Sequence, residues 1–283
     1  MMLKVKINGK TYEAEKGQYI LDLCRKNNIA IPTLCHHESL SGLGACRLCV
    51  VEVNEGRGNR VVVSCVYPLG RDCEVFTETA KIKGIRRTIL SMLKTRAPEG
   101  DKLAYLCETH GVTAETDSAS GRFTAPKPVK EKKPAGAKEG PAEKHLASAC
   151  ILCGLCAQAC ESLGVGAVAT VGRGVTKKVS TLYGEPPADC IGCGSCANVC
   201  PMKAIDCSED KGQRTIWGKK FKLIKCVSCG KAFSTEEEYA FSLKNANVKA
   251  EAKEVREKQG ILCDSCRKKK SADTLAMVFG DRK

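Results

Sequence analysis

The chain has few aromatic residues and no long apolar run. Only 5% of its 283 residues are Phe, Trp or Tyr, which argues against one large core and favours two or three small domains. No stretch approaches the ~20 apolar residues that a membrane helix needs. The N-terminus also lacks the apolar region of a secretion signal. We therefore expect a protein without a transmembrane segment.

The chain is instead rich in cysteine, with twenty in all. Most are grouped as repeated C-x2-C pairs, a pattern rare in secreted disulfide scaffolds and typical of metal sites in reducing compartments. Ligation to metal clusters would supplement the modest apolar burial that so few aromatic residues allow. The composition therefore predicts small cluster-binding modules and a cytoplasmic location.

Two copies of the pattern C-x2-C-x2-C-x3-C lie within the predicted third domain, residues 148–210. This spacing is typical of a bacterial-type ferredoxin domain with two [4Fe–4S] clusters, in which the fourth cysteine of each copy binds the other cluster. A disulfide or zinc interpretation suits a single C-x2-C pair better than this doubled run. The predicted ligands are Cys150, Cys153, Cys156 and Cys200 for one cluster, and Cys190, Cys193, Cys196 and Cys160 for the other.

Residues 1–80 predict a β-grasp ferredoxin domain in a chain of the α+β class. Asn8-Gly9 is a two-residue hairpin signal between alternating segments. Residues 20–27 read as a short helix that ends before Pro32. Strands are predicted at 3–7, 11–14, 50–53 and 61–65.

This domain carries cysteines at the spacing C-x10-C-x2-C-x15-C, namely Cys35, Cys46, Cys49 and Cys65. Three ligands on a loop and a fourth on a returning strand suit a [2Fe–2S] cluster, whose two irons each take two thiolates. Gly42 and Gly44 keep the loop thin enough to wrap it. Cys73 is a rival fourth ligand. His36 and His37 are Rieske-type alternatives, although four cysteines already suffice.

These motifs resemble those of a known family. The stretch IPTLCHHESLSGLGACRLCVVEV, with Cys65 in VVVSCVYPLG, is similar to the N-terminal [2Fe–2S] domain of the large iron–sulfur subunit of respiratory complex I. The same domain occurs in the diaphorase small subunit of NAD-reducing hydrogenases and in iron–sulfur subunits of electron-bifurcating hydrogenases. CILCGLCAQACESLGVGAVATVGRGVTKKVSTLYG and CIGCGSCANVCPMKAI extend the resemblance to about residue 207.

The resemblance implies an electron-transfer subunit that is not itself catalytic. Its implied partners in a hetero-oligomer are a flavoprotein NAD(P)H-binding subunit, a small thioredoxin-like [2Fe–2S] subunit and a catalytic redox subunit. The complex would be of hydrogenase, formate dehydrogenase or transhydrogenase type, with or without electron bifurcation. The resemblance also favours Cys65 over Cys73 as the fourth [2Fe–2S] ligand. The 76 residues after Cys207 are too few for a hydrogenase catalytic domain.

The segment between the two ferredoxin domains departs from the family pattern. Relatives commonly carry a His-x3-Cys-x2-Cys-x5-Cys site there, whereas this interval offers only Cys107 and His110, so we expect that cluster to be absent. Residues 124–147 have the Pro, Lys, Glu, Ala and Gly composition of a flexible linker. Such a tether would suit a moving electron shuttle, and a loop draped over a partner subunit is an equally good interpretation.

A helical connector is predicted at 81–123. Lys81 to Ala97 repeats apolar residues at helical spacing. Its basic residues, which lie between the apolar ones, predict a solvated face on a helix packed against its own domain. They are Lys83, Arg86, Arg87 and Lys94.

The predicted C-terminal domain, 211–283, carries two further C-x2-C pairs, Cys226 with Cys229 and Cys263 with Cys266. Together they predict a tetrahedral four-sulfur knuckle site, with zinc as the preferred metal and a further iron–sulfur cluster as the alternative. Residues 236–258, between the pairs, read as helical. The family resemblance does not reach this domain. The remaining cysteines, Cys24, Cys73, Cys107 and Cys207, are predicted to be inert thiols.

The formal net charge of +14 raises a second class of function, a redox-sensing or nucleic-acid-associated regulator. Three clusters and a zinc site, each adding about two negative charges, would lower that charge to roughly +6. A sensor also has no need of three clusters in series. We therefore expect one [2Fe–2S] cluster, two [4Fe–4S] clusters and one zinc in an electron-transfer subunit that binds no nucleic acid.

Overall fold

The computed structural model describes residues 2–112, 149–181, 186–245 and 260–279. The chain packs as two compact units, Met1–Glu185 with Ser195–Ile205 and Pro186–Gly194 with Asp206–Lys283. The division falls inside the region predicted as one dicluster domain, because residues 186–194 belong to the same unit as the C-terminal residues. The predicted linker at 124–147 lies outside the described residues.

The first unit begins with a five-stranded mixed sheet in the order β2-β1-β5-β3-β4. Strand β1 pairs in parallel with β5, and the remaining pairs are antiparallel. Asn8 and Gly9 both have positive φ, at 48° and 89°, so the predicted hairpin is confirmed. The strands are β1 (Met2–Ile7), β2 (Lys10–Glu15), β3 (Val50–Asn54), β4 (Asn59–Val63) and β5 (Cys73–Phe76).

Helix α1 (Ile20–Lys26) closes the core of this sheet. Its buried side chains Ile20, Leu21 and Leu23 belong to one apolar cluster with Val5 of β1. Burial of each such side chain contributes about 1.5–3 kcal/mol. Sheet order and helix together give the β-grasp arrangement that the sequence predicts. One detail differs, because Cys65 lies in the 3-10 turn Ser64–Val66 directly after β4 and not on the strand.

Helix α2 (Ala80–Arg96) begins at the Thr79 cap, whose hydroxyl accepts a hydrogen bond from the Ile82 amide. The prediction of a wholly solvated basic face is wrong at one residue. Arg86 is fully buried, and its guanidinium donates to the backbone oxygens of Leu48 (3.1 Å) and Val50 (3.0 Å). Charge periodicity does not reveal this role, because the acceptors are main-chain atoms 36 and 38 residues away.

A second apolar cluster of the first unit gathers residues from α2 and from segments far apart in sequence. It includes Leu90, Leu103 of α3 and Met202. Helix α4 carries the last two cysteines of the first motif, and α5 lies within the second. The elements of this part are α3 (Asp101–Thr109), α4 (Leu155–Ser162), β6 (Ala169–Val171), β7 (Lys178–Ser180) and α5 (Ser195–Asn198).

The second unit contains an antiparallel sheet in the order β11-β10-β9-β8. Two-residue turns with positive φ, Lys211-Gly212 and Trp217-Gly218, connect its first three strands. A helix was predicted over residues 236–258, and the structure has one that begins at Glu236 and is described as far as Asn245. Residues 246–259 lie outside the described part. The elements are β8 (Cys207–Asp210), β9 (Gln213–Ile216), β10 (Lys219–Lys225), β11 (Ala232–Thr235), α6 (Glu236–Asn245) and α7 (Asp264–Phe279). Across the described ranges, no helix has the length and apolar character needed to cross a membrane.

Candidate iron–sulfur and metal centres

The four cysteines predicted for the [2Fe–2S] cluster come together in one buried pocket, each at most 5% exposed. Their thiols form two hydrogen-bonded pairs, Cys35 with Cys46 and Cys49 with Cys65. The Cys46 amide also donates to the Cys35 sulfur at 3.2 Å. Two pairs of sulfurs are what a cluster needs when each iron takes two thiolates.

Hydrogen bonding within each pair lowers the pKa of one thiol and raises that of the other. The hydrogen bond from Cys35 lowers the pKa of Cys46 to about 6, and that from Cys65 lowers the pKa of Cys49 to about 7. The donating thiols, Cys35 and Cys65, have raised pKa values for the same reason. One thiol of each pair therefore has a lowered pKa, and iron binds the thiolate form.

Glycine is required in the loop that wraps this pocket. A Cβ atom added to Gly42 would lie 2.7 Å from the Cys65 carbonyl oxygen, closer than real Cβ atoms approach backbone. At Gly44, φ is +59° and the nearest atom, on Val66, would be 3.3 Å away. The close approach of this loop to the turn that carries Cys65 gives the physical reason for its glycines.

The alternative ligands of this pocket have other contacts. The Nδ1 atom of His36 lies 2.9 Å from an Arg25 nitrogen, and that of His37 accepts a hydrogen bond from the Ser39 amide. Burial lowers the pKa of His36. Cys73 lies on β5 within the sheet's own apolar cluster.

The cysteines predicted for the first [4Fe–4S] cluster line a single cavity in the first unit. Cys150, Cys153 and Cys156 from the first motif and Cys200 from the second contribute to its wall. The other lining residues are apolar or glycine: Ile151, Gly154, Val179, Met202, Ala204 and Ile205. The crossed set of ligands that the spacing predicts therefore shares one dry cavity.

Backbone amides in this cavity are aimed at sulfur. The amide of Leu152 donates to the Cys150 sulfur at 3.4 Å, and that of Ala204 donates to the Cys200 sulfur at 3.3 Å. Leu152 achieves this with φ of +56°, which is strained for a branched side chain. Such N–H···S contacts stabilise thiolate ligands and tune the clusters they hold. Burial raises the pKa of Cys153 to about 11, so this thiol ionises readily only when metal is bound.

Two of the four [2Fe–2S] ligands and three cysteines of this cavity share one apolar core. Cys35 and Cys46 are buried in the cluster that α2 and α3 form, and Cys150, Cys153 and Cys200 pack against the same cluster. Ligands from both sides of residues 124–147, which lie outside the described residues, therefore belong to a common core.

The second predicted [4Fe–4S] set is divided between the two units. In the first unit, Cys196 is buried on α5, and Cys160 near the end of α4 accepts a hydrogen bond from the Ala167 amide at 3.2 Å. In the second unit, the Gly192 amide donates to the Cys190 sulfur at 3.4 Å. These amide-to-sulfur contacts match those of the first set, so the cysteines in each unit have the surroundings of cluster ligands.

The Cys190–Cys193 loop depends on glycine for its close packing. Gly192 has φ of +68°, and a Cβ atom added there would come within 2.6 Å of the Phe221 ring. Gly194 has φ of +75°. The sequence analysis missed the side chains of the second unit that hold this loop, namely Arg214, Lys219 and Thr235.

The C-terminal cysteines form a compact tetrad, with all four sulfur atoms within 4.8 Å of one another. The Cys229 and Cys263 sulfurs are 3.8 Å apart. Gly230, at φ of +71°, closes the first knuckle by donating to the Cys226 oxygen. Amides of the two knuckles, led by that of Cys263, lower the pKa of Cys226 to about 6. The four sulfurs are therefore close enough to one another to form one metal site.

Comparison with known proteins finds one match to each of the two ferredoxin types. Residues 1–80 match the 2Fe-2S iron-sulfur cluster binding domain family, and residues 189–235 match the 4Fe-4S dicluster domain family. The NADH-ubiquinone oxidoreductase 75 kDa subunit of Reclinomonas americana is 33% identical over 208 residues, or 72% of this chain and 29% of that protein. The chain is a homologue of such iron–sulfur subunits. The family resemblance predicted from the cysteine motifs is thereby confirmed, as is the fold class.

Other proteins similar to this chain come from hydrogenases. The NADP-reducing hydrogenase subunit HndD of Solidesulfovibrio fructosivorans is 32% identical over 72% of this chain and 36% of that protein. A crystal structure of a NAD+-reducing [NiFe]-hydrogenase in the H2-reduced state is 27% identical with a TM-score of 0.49, covering 64% of this chain and 78% of that chain. The chain spans about a third of the length of the Reclinomonas americana subunit and of HndD, 29% and 36% respectively.

Proposed function

We propose that this chain is the electron-transfer iron–sulfur subunit of a multisubunit NAD(P)H-linked oxidoreductase. It would relay single electrons between a flavoprotein subunit that binds NAD(P)H and a second redox subunit of hydrogenase, formate dehydrogenase or transhydrogenase type. A small thioredoxin-like [2Fe–2S] subunit would complete the hetero-oligomer. The homology to subunits of NADH- and NADP-linked oxidoreductases supports this proposal and does not favour the regulator alternative.

The observation that carries the proposal is the common core of two ligand sets. Cys35 and Cys46 are buried in the apolar cluster against which Cys150, Cys153 and Cys200 pack. When bound, the clusters supply one-electron chemistry. The chain itself buries the [2Fe–2S] ligand set, places the other set against apolar side chains, and directs backbone amides at their sulfurs. Two one-electron carriers against one apolar core suit a relay, and a sensor has no need of that arrangement.

We assign the cluster ligands as the motifs predict. The [2Fe–2S] cluster would be held by Cys35, Cys46, Cys49 and Cys65, and one [4Fe–4S] cluster by Cys150, Cys153, Cys156 and Cys200. The first set is supported by its paired thiols, and the second by its common cavity. The other [4Fe–4S] cluster would be held by Cys190, Cys193, Cys196 and Cys160.

For the tetrad Cys226, Cys229, Cys263 and Cys266 we propose zinc. Sulfurs bound to one zinc at ~2.3 Å in a tetrahedron lie about 3.8 Å apart, which is the separation of Cys229 and Cys263. In a cubane each cysteine binds a different iron, so its sulfurs are spread more widely than those on one ion. The compact geometry therefore favours a single metal ion over a further cluster.

We also propose a cytoplasmic location. Sixteen of the twenty cysteines belong to the proposed cluster and metal sets. A reducing compartment keeps such thiols available for metal.

The test is anaerobic purification of the native complex, with iron, zinc and sulfide counted per chain and EPR spectra of the reduced protein. We expect about ten irons and one zinc, signals of both cluster types, and a co-purifying flavoprotein. About fourteen irons without zinc would overturn the zinc assignment and make the tetrad a fourth cluster. Isolation of the chain alone on nucleic acid would overturn the electron-transfer proposal.

A further inference from the structure

The Cys190–Cys193 loop is held from one side by the C-terminal sheet of its own unit. Lys219 at the start of β10 donates from Nζ to the backbone oxygens of Ala188 (2.9 Å) and Cys190 (3.0 Å), with Pro187 at 3.4 Å. The Thr235 hydroxyl at the end of β11 donates to the next oxygen, that of Ile191, at 2.5 Å.

Arg214 on β9 completes this set. Its Nη1 donates to the Gly192 oxygen at 2.8 Å, and its Nε and Nη2 bond to the Glu209 carboxylate. The side chain of Arg214 is only 13% exposed. Consecutive carbonyls from Cys190 to Gly192 are thus each bound by a different side chain of one sheet.

This arrangement fixes the direction of the loop's amides. In a planar trans peptide the N–H points away from the C=O. The peptide between Ile191 and Gly192 has its oxygen on Thr235 and its N–H on the Cys190 sulfur. The peptides on either side have their oxygens on Lys219 and Arg214, so their N–H groups also face away from the sheet. The sheet therefore turns a row of amide donors toward the sulfur side of the loop.

The same side chains bring positive charge to the loop. Every described contact of Lys219 is with a neutral group, namely the carbonyls and the Phe221 ring 4.8 Å away. Arg214 shares its charge with the carboxylates of Glu209 at 2.8 Å and Glu238 at 3.9 Å. A cation and amide donors near a cluster both stabilise its more negative, reduced state.

We propose that Lys219, Arg214 and Thr235 are positioning residues for the cluster bound by the Cys190–Cys193 loop, and that they raise its reduction potential. The proposal rests on the proposed function, because it requires that the loop bind a [4Fe–4S] cluster. It gives the C-terminal sheet the role of setting the potential of one carrier in the relay.

The experiment is an EPR-monitored redox titration of the purified complex carrying single substitutions. For Lys219→Met we expect the reduced-to-oxidised ratio of this cluster at a fixed potential to fall about tenfold, or about 59 mV for one electron. Lys219→Arg keeps a cation and should restore most of the ratio. Lys220→Met, an exposed neighbour on the same strand, is the matched control and should leave it unchanged.

Two further variants separate tuning from mere loss of stability. Glu209→Gln removes the negative charge beside Arg214 and keeps a hydrogen-bond acceptor, so the ratio should move in the opposite direction and rise. Thr235→Val should lower the ratio and Thr235→Ser should retain it, because serine keeps both the donor and the helix cap to the Glu238 amide. If Lys219→Met loses the cluster altogether, the Glu209 variant still decides the sign.

The outcomes distinguish this inference from the function on which it rests. Equal midpoint potentials in wild type, Lys219→Met and Glu209→Gln would overturn the inference while the cluster itself remains. A wild-type complex with iron and EPR signals for only one [4Fe–4S] cluster would overturn the assignment of the loop and, with it, the inference.

Discussion

Replacing Arg86 with Met should loosen the [2Fe–2S] pocket more than any other single change on α2. The guanidinium is fully buried and donates to the oxygens of Leu48 and Val50, the residues on either side of Cys49. Its third contact, to Glu78 at 2.7 Å, is with a half-exposed carboxylate that water will solvate after the change.

The magnitude follows from the two carbonyls. Each hydrogen bond to a charged donor contributes about 1.5–3 kcal/mol, and a buried acceptor left without a partner costs a similar amount. We expect Arg86→Met to lower the free energy of unfolding by about 3–5 kcal/mol. This corresponds to a fall of roughly 10 °C in the temperature at which the first unit loses its structure. Lys lacks the planar fork with which the guanidinium holds the two oxygens, so Arg86→Lys should recover about half of the loss.

The assay is thermal loss of the [2Fe–2S] signal, followed by visible circular dichroism of the anaerobic protein. Arg87→Met is the matched control, because Arg87 is the next residue on the helix, is exposed, and makes one hydrogen bond to the His110 oxygen. That variant should melt within about 2 °C of wild type. If Arg86→Met also melts there, the buried guanidinium is not needed to hold the pocket.

Three further predictions test the proposed sites. Gly42→Ala should lower [2Fe–2S] occupancy because its Cβ would collide with backbone, whereas Gly70→Ala, with open space around it, should leave the iron count unchanged. Cys200→Ser should abolish the EPR signal of the cluster held by the first cysteine motif, and Cys160→Ser that of the second. The reverse assignment would contradict crossed ligation. Cys226→Ser should reduce zinc from one per chain to none with iron unchanged, and a loss of about four irons would identify a cluster instead.

The local parts of the fold were predictable from sequence because their causes are local. Asn8-Gly9 adopts the positive φ angles that a two-residue turn demands. The cysteine motifs place their sulfurs through spacing and glycine alone. The tetrad could also be found, since each C-x2-C pair is a knuckle by itself and two pairs suffice for one tetrahedral ion.

The side chains that support the sites could not be predicted in the same way. The sequence pattern predicts that Arg86 faces solvent. Only the tertiary structure shows that its guanidinium donates to backbone oxygens of the cysteine loop. Lys219 and Thr235 reach carbonyls 29 and 44 residues away, and no local pattern marks them. The sequence analysis did not predict strand β5, because its parallel partner β1 lies at the opposite end of the domain in sequence. In each case the information is in the tertiary contact and not in the residue type.

The common core of the first unit also bears on how the protein is assembled. Cys35 and Cys46 are part of this apolar core. The core is completed by residues 149–151 and 200–204, which are synthesised much later than the N-terminal domain. A newly made N-terminal domain therefore exposes an apolar surface and unligated thiols until the later segment arrives. We expect insertion of the two clusters to be interdependent, so that iron limitation yields a mixture of complete and empty molecules instead of half-loaded ones.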